Sequence, residues 1–332
     1  MRWLFRLAAL LLAAQSVLAL EWIHVAPNPA YSRDLALGTS TLALSYPPQS
    51  QSINPAGLVC FERSTPQRAT IFLNPGGAWQ IANYFEHEAA RRSEWDQATE
   101  AARLLVNSVA VRWKVVTLAA MLGQPVMLRS DTARYANFDS QSSLEEHQNS
   151  IVLALHLHRR VSVGGRIDRY YRYSDPQGEG YSYSVILRPR NVELAVHYQR
   201  YPITGARVWH PLDRREDQSI TAGIAVVKDG WKVSAQVMNL AQTSDSLEIE
   251  PRAGVEFRPW RPLALRAGGV LYGDGDHWAW TAGLGLLDAN WLRTKPARLS
   301  VPDDILQAAV GVIYNGRRPV LGISSLTFSW RF

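Results

Sequence analysis

The chain has a single cysteine and, beyond its N-terminus, no long apolar run. Cys60 alone cannot form an intrachain disulfide, and it lies too far downstream to be the lipid-bearing cysteine of a lipoprotein signal. No later window has the roughly 20 consecutive apolar residues of a membrane helix. The mean hydropathy of −0.15 is also too polar for a bundle of such helices. The net charge of +6 comes from dispersed residues without a basic block, so we expect no nucleic-acid partner.

The N-terminus has the features of a secretory signal peptide. Arg2 and Arg6 form a short basic region, an apolar stretch follows from Leu7, and residues 17–19 offer small side chains for cleavage. The alternative is a membrane-anchoring helix, but the apolar core is shorter than a span requires. We therefore expect residues 1–19 to be removed by cleavage near Ala19.

The C-terminus alternates between large apolar and small or polar side chains. Because successive side chains of a strand point to opposite faces, four apolar residues share one face, and Thr327, Ser329 and Arg331 share the other. The chain end resembles the closing strand and assembly signal of Gram-negative outer-membrane β-barrels. The residues assigned to closure and assembly on this pattern are Leu326, Phe328, Trp330 and Phe332.

The same alternation predicts a transmembrane antiparallel β-barrel of about fourteen strands, within a range of twelve to sixteen. Turn signals are short on one side, taken as periplasmic, and longer on the other, at residues 174–180, 202–218 and 241–251. A C-terminal strand running toward the periplasm also makes 287–304 a periplasmic connection. The predicted strands are 68–73, 107–111, 115–122, 150–157, 161–173, 181–187, 192–201, 219–227, 231–240, 252–257, 263–272, 278–286, 305–314 and 320–332.

The two faces of these strands differ in polarity. Charged side chains cost about 2–4 kcal/mol against lipid at the bilayer midplane for Arg or Lys, so the charged face is predicted to line the lumen. A soluble sandwich with an apolar interior is the competing interpretation. The export signal and the aromatic terminus favour the barrel. The predicted lumen residues are Arg166, Asp168, Arg172, Glu193, His197, Gln199, Lys232, Arg252 and Glu256.

Residues 33–38 read Arg-Asp-Leu-Ala-Leu-Gly and stand shortly before an Asn-Pro-Ala-Gly-Leu segment. This pair resembles the Arg-x-Leu-Ala-x-Gly and Asn-Pro-Ala-Gly-Leu segments of the FadL-like superfamily of outer-membrane proteins, which includes hydrocarbon and fatty-acid transporters and PorV-like secretion components. Segments 160–165 and 263–269 are also similar. The second motif is complete in Asn54, Pro55, Ala56, Gly57 and Leu58.

The resemblance implies a fourteen-stranded barrel whose N-terminal segment folds into the lumen as a hatch. The chain then divides into a signal peptide (1–19), a hatch (20–66) and a barrel (67–332). An ordinary turn leading into the first strand is the alternative for residues 54–58. Helical spacing in residues 93–105 also predicts a short amphipathic helix in the first external loop.

The resemblance implies two functional hypotheses. The first is passive uptake of small hydrophobic molecules, of fatty-acid or hydrocarbon type, held between hatch and wall. The second is a PorV-like component that binds secretion-system subunits. Either barrel would contact outer-membrane lipid and the barrel assembly machinery of a Gram-negative bacterium. The residues expected to line the hydrophobic pocket are Leu42, Leu44, Ile53, Leu58, Val59 and Phe61.

An outer-membrane enzyme is the third and least favoured hypothesis. His156 and His158 share a strand face through simple alternation, and residues 274–277 (Asp-Gly-Asp-His) are ordinary turn chemistry. The sequence places no serine, histidine and acid set. We therefore expect no catalytic residues, no metal site and no cofactor.

Overall fold

The fold consists of β-strands joined largely in chain order. The computed structural model describes residues 23–25, 33–34, 36–38, 40–44, 54–59, 69–73, 102, 106–125, 146–172, 175–201, 217–228, 230–242, 249–260, 262–271, 278–288, 304–314, 322–326 and 328–331. Within these ranges, no helix has the length and apolar character needed to cross a membrane. The predicted helix at 93–105 lies outside the described residues apart from Ala102.

The described strands are β1 (Ile23–Val25), β2 (Ala69–Leu73), β3 (Val106–Trp113), β4 (Val116–Pro125), β5 (Glu146–His158), β6 (Val161–Arg172), β7 (Asp175–Leu187), β8 (Val192–Tyr201), β9 (Asp217–Lys228), β10 (Trp231–Gln242), β11 (Glu250–Trp260), β12 (Leu263–Leu271), β13 (Trp278–Asp288), β14 (Asp304–Tyr314), β15 (Gly322–Leu326) and β16 (Phe328–Arg331). A 3-10 turn at Pro55–Val59 lies between β1 and β2.

The sheet is an antiparallel meander whose first and last parts meet. Strands β2 to β14 each pair with the next strand along the chain. At the C-terminus, β15 pairs with β14, and β16 pairs with β2. The three-residue β1 adds parallel to β15. Neighbours therefore run from β2 round to the C-terminal segment, which is a β-barrel fold.

The C-terminal segment contacts its two neighbours through different residues. Leu326 lies opposite Leu306 of β14, whereas Phe328 and Trp330 lie opposite Leu73 and Ile71 of β2. Phe332 lies outside the described residues. Counting β15 and β16 as one strand gives the predicted fourteen with β2 to β14, and that count stays a prediction.

The predicted strands coincide with observed ones, with one correction between β6 and β7. Residues 174–180 were predicted as a long connection, but β7 begins at Asp175 and pairs with β6 as far as Arg172. A register shift accommodates Pro176, since Tyr171 lies opposite it while Tyr170 lies opposite Gly178. Pro and Gly, which are turn signals in sequence, here occupy an irregular strand end.

The buried and exposed faces of the sheet reverse the pattern of a soluble protein. Ser150, Arg166 and Asp168 are buried, whereas Ile151 and Ile167, beside them on β5 and β6, are about three-fifths exposed at 62% and 61%. We call the buried side the inner face. Other buried polar residues on it are Thr117, Gln148, Ser162, Ser182, Ser184, His197, Ser219, Thr221, Ser234, Gln236, Glu250, Glu256, Arg266 and Thr281.

An arginine at Ile151 distinguishes a lipid-facing surface from a water-facing one. Ile151 lies near the middle of β5, so Ile151→Arg would expose a charge to lipid at a cost of about 2–4 kcal/mol. Against water the same change is nearly neutral. We expect a lower urea midpoint for the vesicle-inserted variant and a small effect for Ile151→Ala. Equal midpoints for Ile151→Arg and the parent protein would contradict a lipid-facing position.

Candidate functional site

The candidate site is formed where the N-terminal region lies against the inner face. Its described residues are 33–34, 36–38, 40–44 and 54–59, which we call the inner segment. Arg33, Leu37, Leu44 and Asn54 are all nearly inaccessible to solvent. A segment so deeply buried, although it contributes no strand to the sheet, must be covered by the barrel wall.

Strands β10 and β13 hold the first half of the inner segment through side-chain hydrogen bonds. The Gly38 amide donates to Thr281 Oγ1 at 2.9 Å, and the Leu42 amide donates to Gln236 Oε1 at 3.0 Å. The Ser40 and Ser234 hydroxyl oxygens lie 2.8 Å apart. Polar wall side chains thus accept hydrogen bonds from two backbone amides of the inner segment.

The Asn54 motif joins the two halves of the inner segment and attaches them to β7. Asn54 Nδ2 donates to the Leu42 carbonyl at 2.7 Å. The Ala56 amide donates both to Asn54 Oδ1 at 3.0 Å and to Ser184 Oγ at 2.8 Å. Asn54 therefore bridges residues twelve apart in the chain, a role that an isolated turn would not require.

Wall glycines bring the inner segment into direct backbone contact with the sheet. A Cβ on Gly268 would lie 2.2 Å from the Gly38 amide nitrogen, and one on Gly254 would lie 2.4 Å from the Leu37 carbonyl oxygen. Across the barrel, a Cβ on Gly164 would lie 2.4 Å from the Ala56 nitrogen. No other residue type fits at these three positions without displacing backbone.

Glu256 is the centre of a buried charge cluster that includes the inner segment. Its carboxylate lies 2.9 Å from Arg33 Nε and 2.8 Å from Arg266 Nε. Lys232 Nζ at 3.3 Å and Arg258 Nε at 3.4 Å approach the other oxygen. Four cations surround one carboxylate, so Glu256 links β10, β11 and β12 to Arg33.

Asp34 is a buried carboxyl, and its local contacts do not fully offset the cost of burying its negative charge. The Thr41 hydroxyl donates to its Oδ1. Burial raises the pKa of Asp34 from 3.8 to about 6, although the Thr41 hydrogen bond and the charges of Arg252 and Arg33 act in the opposite direction. Ionised Asp34 is therefore destabilising in the folded chain.

The raised pKa predicts a pH-dependent effect of Asp34→Asn. Because the folded pKa exceeds the unfolded one, stability from Asp34 is full below pH 3.8 and is lost as pH rises through about 6. Above that pH, Asn should stabilise the chain by about 3 kcal/mol, since it keeps an acceptor for Thr41. Urea midpoints across this pH range measure the difference, and equal gains at acidic and neutral pH would contradict it.

Two apolar clusters lie between the inner segment and the wall. Leu42 and Leu44 pack with Ile186 of β7 and with small residues of β8 and β9, Ala195 and Ala225. The second cluster surrounds Leu58 and comprises Ala110, Ala119, Met121, Val152 and Ala154. The pocket predicted from sequence stays a prediction, although three of its members, Leu42, Leu44 and Leu58, are buried here. Val59 ends the 3-10 turn, and Ile53 and Phe61 lie outside the described residues.

The structure places several predicted lumen residues on the buried face. Arg166, Asp168, His197 and Glu256 are buried, and the Arg166 and Asp168 side chains form an ion pair at 2.8 Å. Glu193, Gln199, Lys232 and Arg252 are half-buried. The side chain of Arg172 lies outside the described part of the chain.

The residues considered for chemistry form no described site. His156 Nδ1 lies 3.4 Å from Ser162 Oγ, whereas His158 is exposed at a turn. Residues 274–277 lie outside the described ranges. Within those ranges, no group of three or more His, Cys, Asp or Glu side chains is arranged to bind a metal ion.

Comparison with known proteins gives only distant structural likenesses. No family model and no curated protein matches the chain. A mutant of the Rh. blastica porin is similar at 11% identity and a TM-score of 0.38, covering 68% of this chain and 78% of the porin. Pseudomonas aeruginosa OccK10 (OpdN) is similar at 12% identity and a TM-score of 0.36, covering 68% and 72%.

Proposed function

We propose that the chain is a Gram-negative outer-membrane barrel of fourteen strands that passively transports small hydrophobic molecules, with residues 20–66 as its hatch. The observation that carries the proposal is the placement of the inner segment. It crosses the polar inner face and buries Leu42, Leu44 and Leu58 against apolar wall residues. The proposal assigns no catalytic step, metal or cofactor to the barrel.

The two apolar clusters support the proposal that the transported solute is hydrophobic. Binding sites for such molecules combine mostly apolar walls with a few polar groups. Here Leu42, Ile186 and Ala195 supply apolar surface, with Gln236 and Ser184 beside them bonded to the inner segment. Rearrangement of the inner segment would open this surface to a solute without separating the strands.

Uptake of radiolabelled fatty acid by cells with and without the gene tests the proposal. Wild-type protein should restore uptake to cells that lack the gene. The Leu42→Asp variant should not restore it, because the substitution places a charge in the apolar cluster. Leu265→Ala, on the exposed face of β12, is the matched control and should restore uptake. Unchanged uptake on deletion, with no lipid in the purified barrel, would refute transport.

A PorV-like interaction component is the second candidate. The observation that favours it is the close contact of the inner segment with the wall, through the ion pair to Glu256 and the backbone approach at Gly254 and Gly268. Such contacts suit a sealed structural barrel. Affinity purification from detergent-solubilised membranes separates the two functions. A transporter should be purified alone, whereas a secretion component should bring stoichiometric partner subunits.

A further inference from the structure

One end of the sheet carries a concentration of exposed positive charge. The hairpin turns β3–β4, β5–β6, β7–β8, β9–β10 and β11–β12 lie at the same end, because each joins consecutive antiparallel strands of the meander. We call this end the short-turn rim. Among the residues that the structure describes there, the exposed cations are Lys114, Arg159, Arg160, Arg190 and Lys228.

Negative charge is scarce in these five turns. Asp229 is the one acidic residue in the sequence of these five turns, at the β9–β10 hairpin. Among the turn residues that the structure describes, none that is exposed is acidic. At the opposite end, by contrast, the exposed Arg169 lies across the strand pair from the exposed Glu179. The five short turns therefore carry an excess of positive charge.

Exposed tryptophan side chains lie at the same end of the sheet as the rim cations. Trp113 and Trp260, each 68% exposed, are at the ends of β3 and β11. Trp231 begins β10 and stacks on Phe257, with ring centroids 4.1 Å apart. Tryptophan favours the membrane–water interface, so these rings mark the headgroup level at this end of the barrel.

From this juxtaposition we propose that the short-turn rim binds the headgroups of anionic phospholipids in the leaflet that it crosses. Lys114 Nζ lies 5.2 Å from the Trp113 ring centroid, which places an ammonium group at the aromatic belt rather than beyond it. Lys and Arg at that depth meet phosphate groups at the end of their flexible stems. The ligand chemistry is a lipid phosphate with net negative charge.

The position of Lys114 at the aromatic belt and the distribution of the cations over several hairpins favour lipid over an acidic protein as the ligand. A protein partner would be expected to contact a compact patch, whereas Lys114, Arg159, Arg190 and Lys228 lie on four successive hairpins round the barrel. Each of these cations would meet a separate lipid molecule. The rim therefore suits many small anionic ligands better than one large partner.

Electron paramagnetic resonance of spin-labelled lipids tests the proposal on the full mature chain in phosphatidylcholine vesicles. Wild-type protein should enrich spin-labelled phosphatidylglycerol over phosphatidylcholine at its surface by about fivefold per cation–headgroup contact, and added salt should reduce the enrichment. The fivefold Gln variant at Lys114, Arg159, Arg160, Arg190 and Lys228 should show a ratio near one.

A charge-conserving variant is the control. Arg159→Lys, Arg160→Lys and Arg190→Lys together keep the charge and should keep the enrichment, with both variants first shown to be folded by heat-dependent gel mobility. No enrichment by wild-type protein, or undiminished enrichment by the Gln variant, would overturn the proposal. If wild-type protein does not enrich phosphatidylglycerol but binds poly-L-glutamate in detergent, the result would overturn the proposal in favour of an acidic polypeptide as the ligand. The result is independent of fatty-acid uptake.

Discussion

Glu256→Gln is expected to detach the inner segment and to lower the free energy of unfolding by about 3–5 kcal/mol, because it leaves buried cations without their shared carboxylate. Arg33 and Arg266 are the most affected, since both lie within 3.0 Å of Glu256 Oε2 and their side chains are 6% and 0% exposed. Gln keeps the shape but cannot balance four positive charges. Urea titration of the vesicle-inserted barrel measures the loss.

A second readout separates the inner segment from the wall. Limited proteolysis should cut Glu256→Gln within residues 20–66 while the strands remain protected, since Arg33 loses its contact with the sheet. Glu193→Gln is the matched control, because Glu193 lies 4.0 Å from Arg188, a longer ion pair than those of Glu256, and its side chain is less deeply buried. If both variants unfold at the same urea concentration, Glu256 does not anchor the inner segment.

Gly164→Ala should destabilise the barrel by about 1–3 kcal/mol through overpacking. The new Cβ would lie 2.4 Å from both the Pro55 carbonyl carbon and the Ala56 nitrogen, and backbone atoms cannot swing aside as a long side chain can. The Ala56 hydrogen bond to Ser184 should therefore be lost with the contact. Urea titration gives the cost, and proteolysis at the Asn54 motif gives its location.

The next residue supplies an unusually close control. Gly165 points to the opposite face of β6, where an added Cβ would lie 3.5 Å from the Tyr183 ring and 3.8 Å from the Ser182 carbonyl oxygen, both ordinary contacts. Gly165→Ala should thus be nearly neutral. Equal destabilisation by the two substitutions would show that strand propensity, rather than contact with residues 55 and 56, determines the cost at Gly164.

The sequence was sufficient to predict the strands because their signal is local. Alternation in segments such as 192–201 gives both the boundaries and the face of each residue, and β8 has those bounds in the structure. The inward direction of His197 and Lys232 followed from the cost of placing charge against lipid. The prediction of a long connection at residues 174–180 was wrong, because Pro176 and Gly178 can occupy an irregular strand end as well as a turn.

The contacts of the inner segment could not be predicted in this way. Ser40 and Ser234 are 194 residues apart, and Arg33 and Glu256 are 223 apart, so no local pattern pairs them. Gly164 and Gly268 lie within segments that resemble those of the FadL-like superfamily, but a glycine in a strand signals only that something approaches closely. Which backbone segment approaches each glycine depends on the fold of the whole chain.

Accessibility of spin labels on β5 tests the central claim, that the apolar face of the sheet meets lipid and the polar face surrounds the inner segment. Labels are placed at Ile151→Cys and Ser150→Cys in a Cys60→Ser background, and relaxation by oxygen is compared with relaxation by a water-soluble nickel chelate. Ile151 is 62% exposed and Ser150 is 3% exposed. The label at 151 should respond to oxygen and not to nickel, and the label at 150 should respond weakly to both. Strong relaxation of the label at 151 by nickel in vesicles would mean that this face meets water, and would contradict the account.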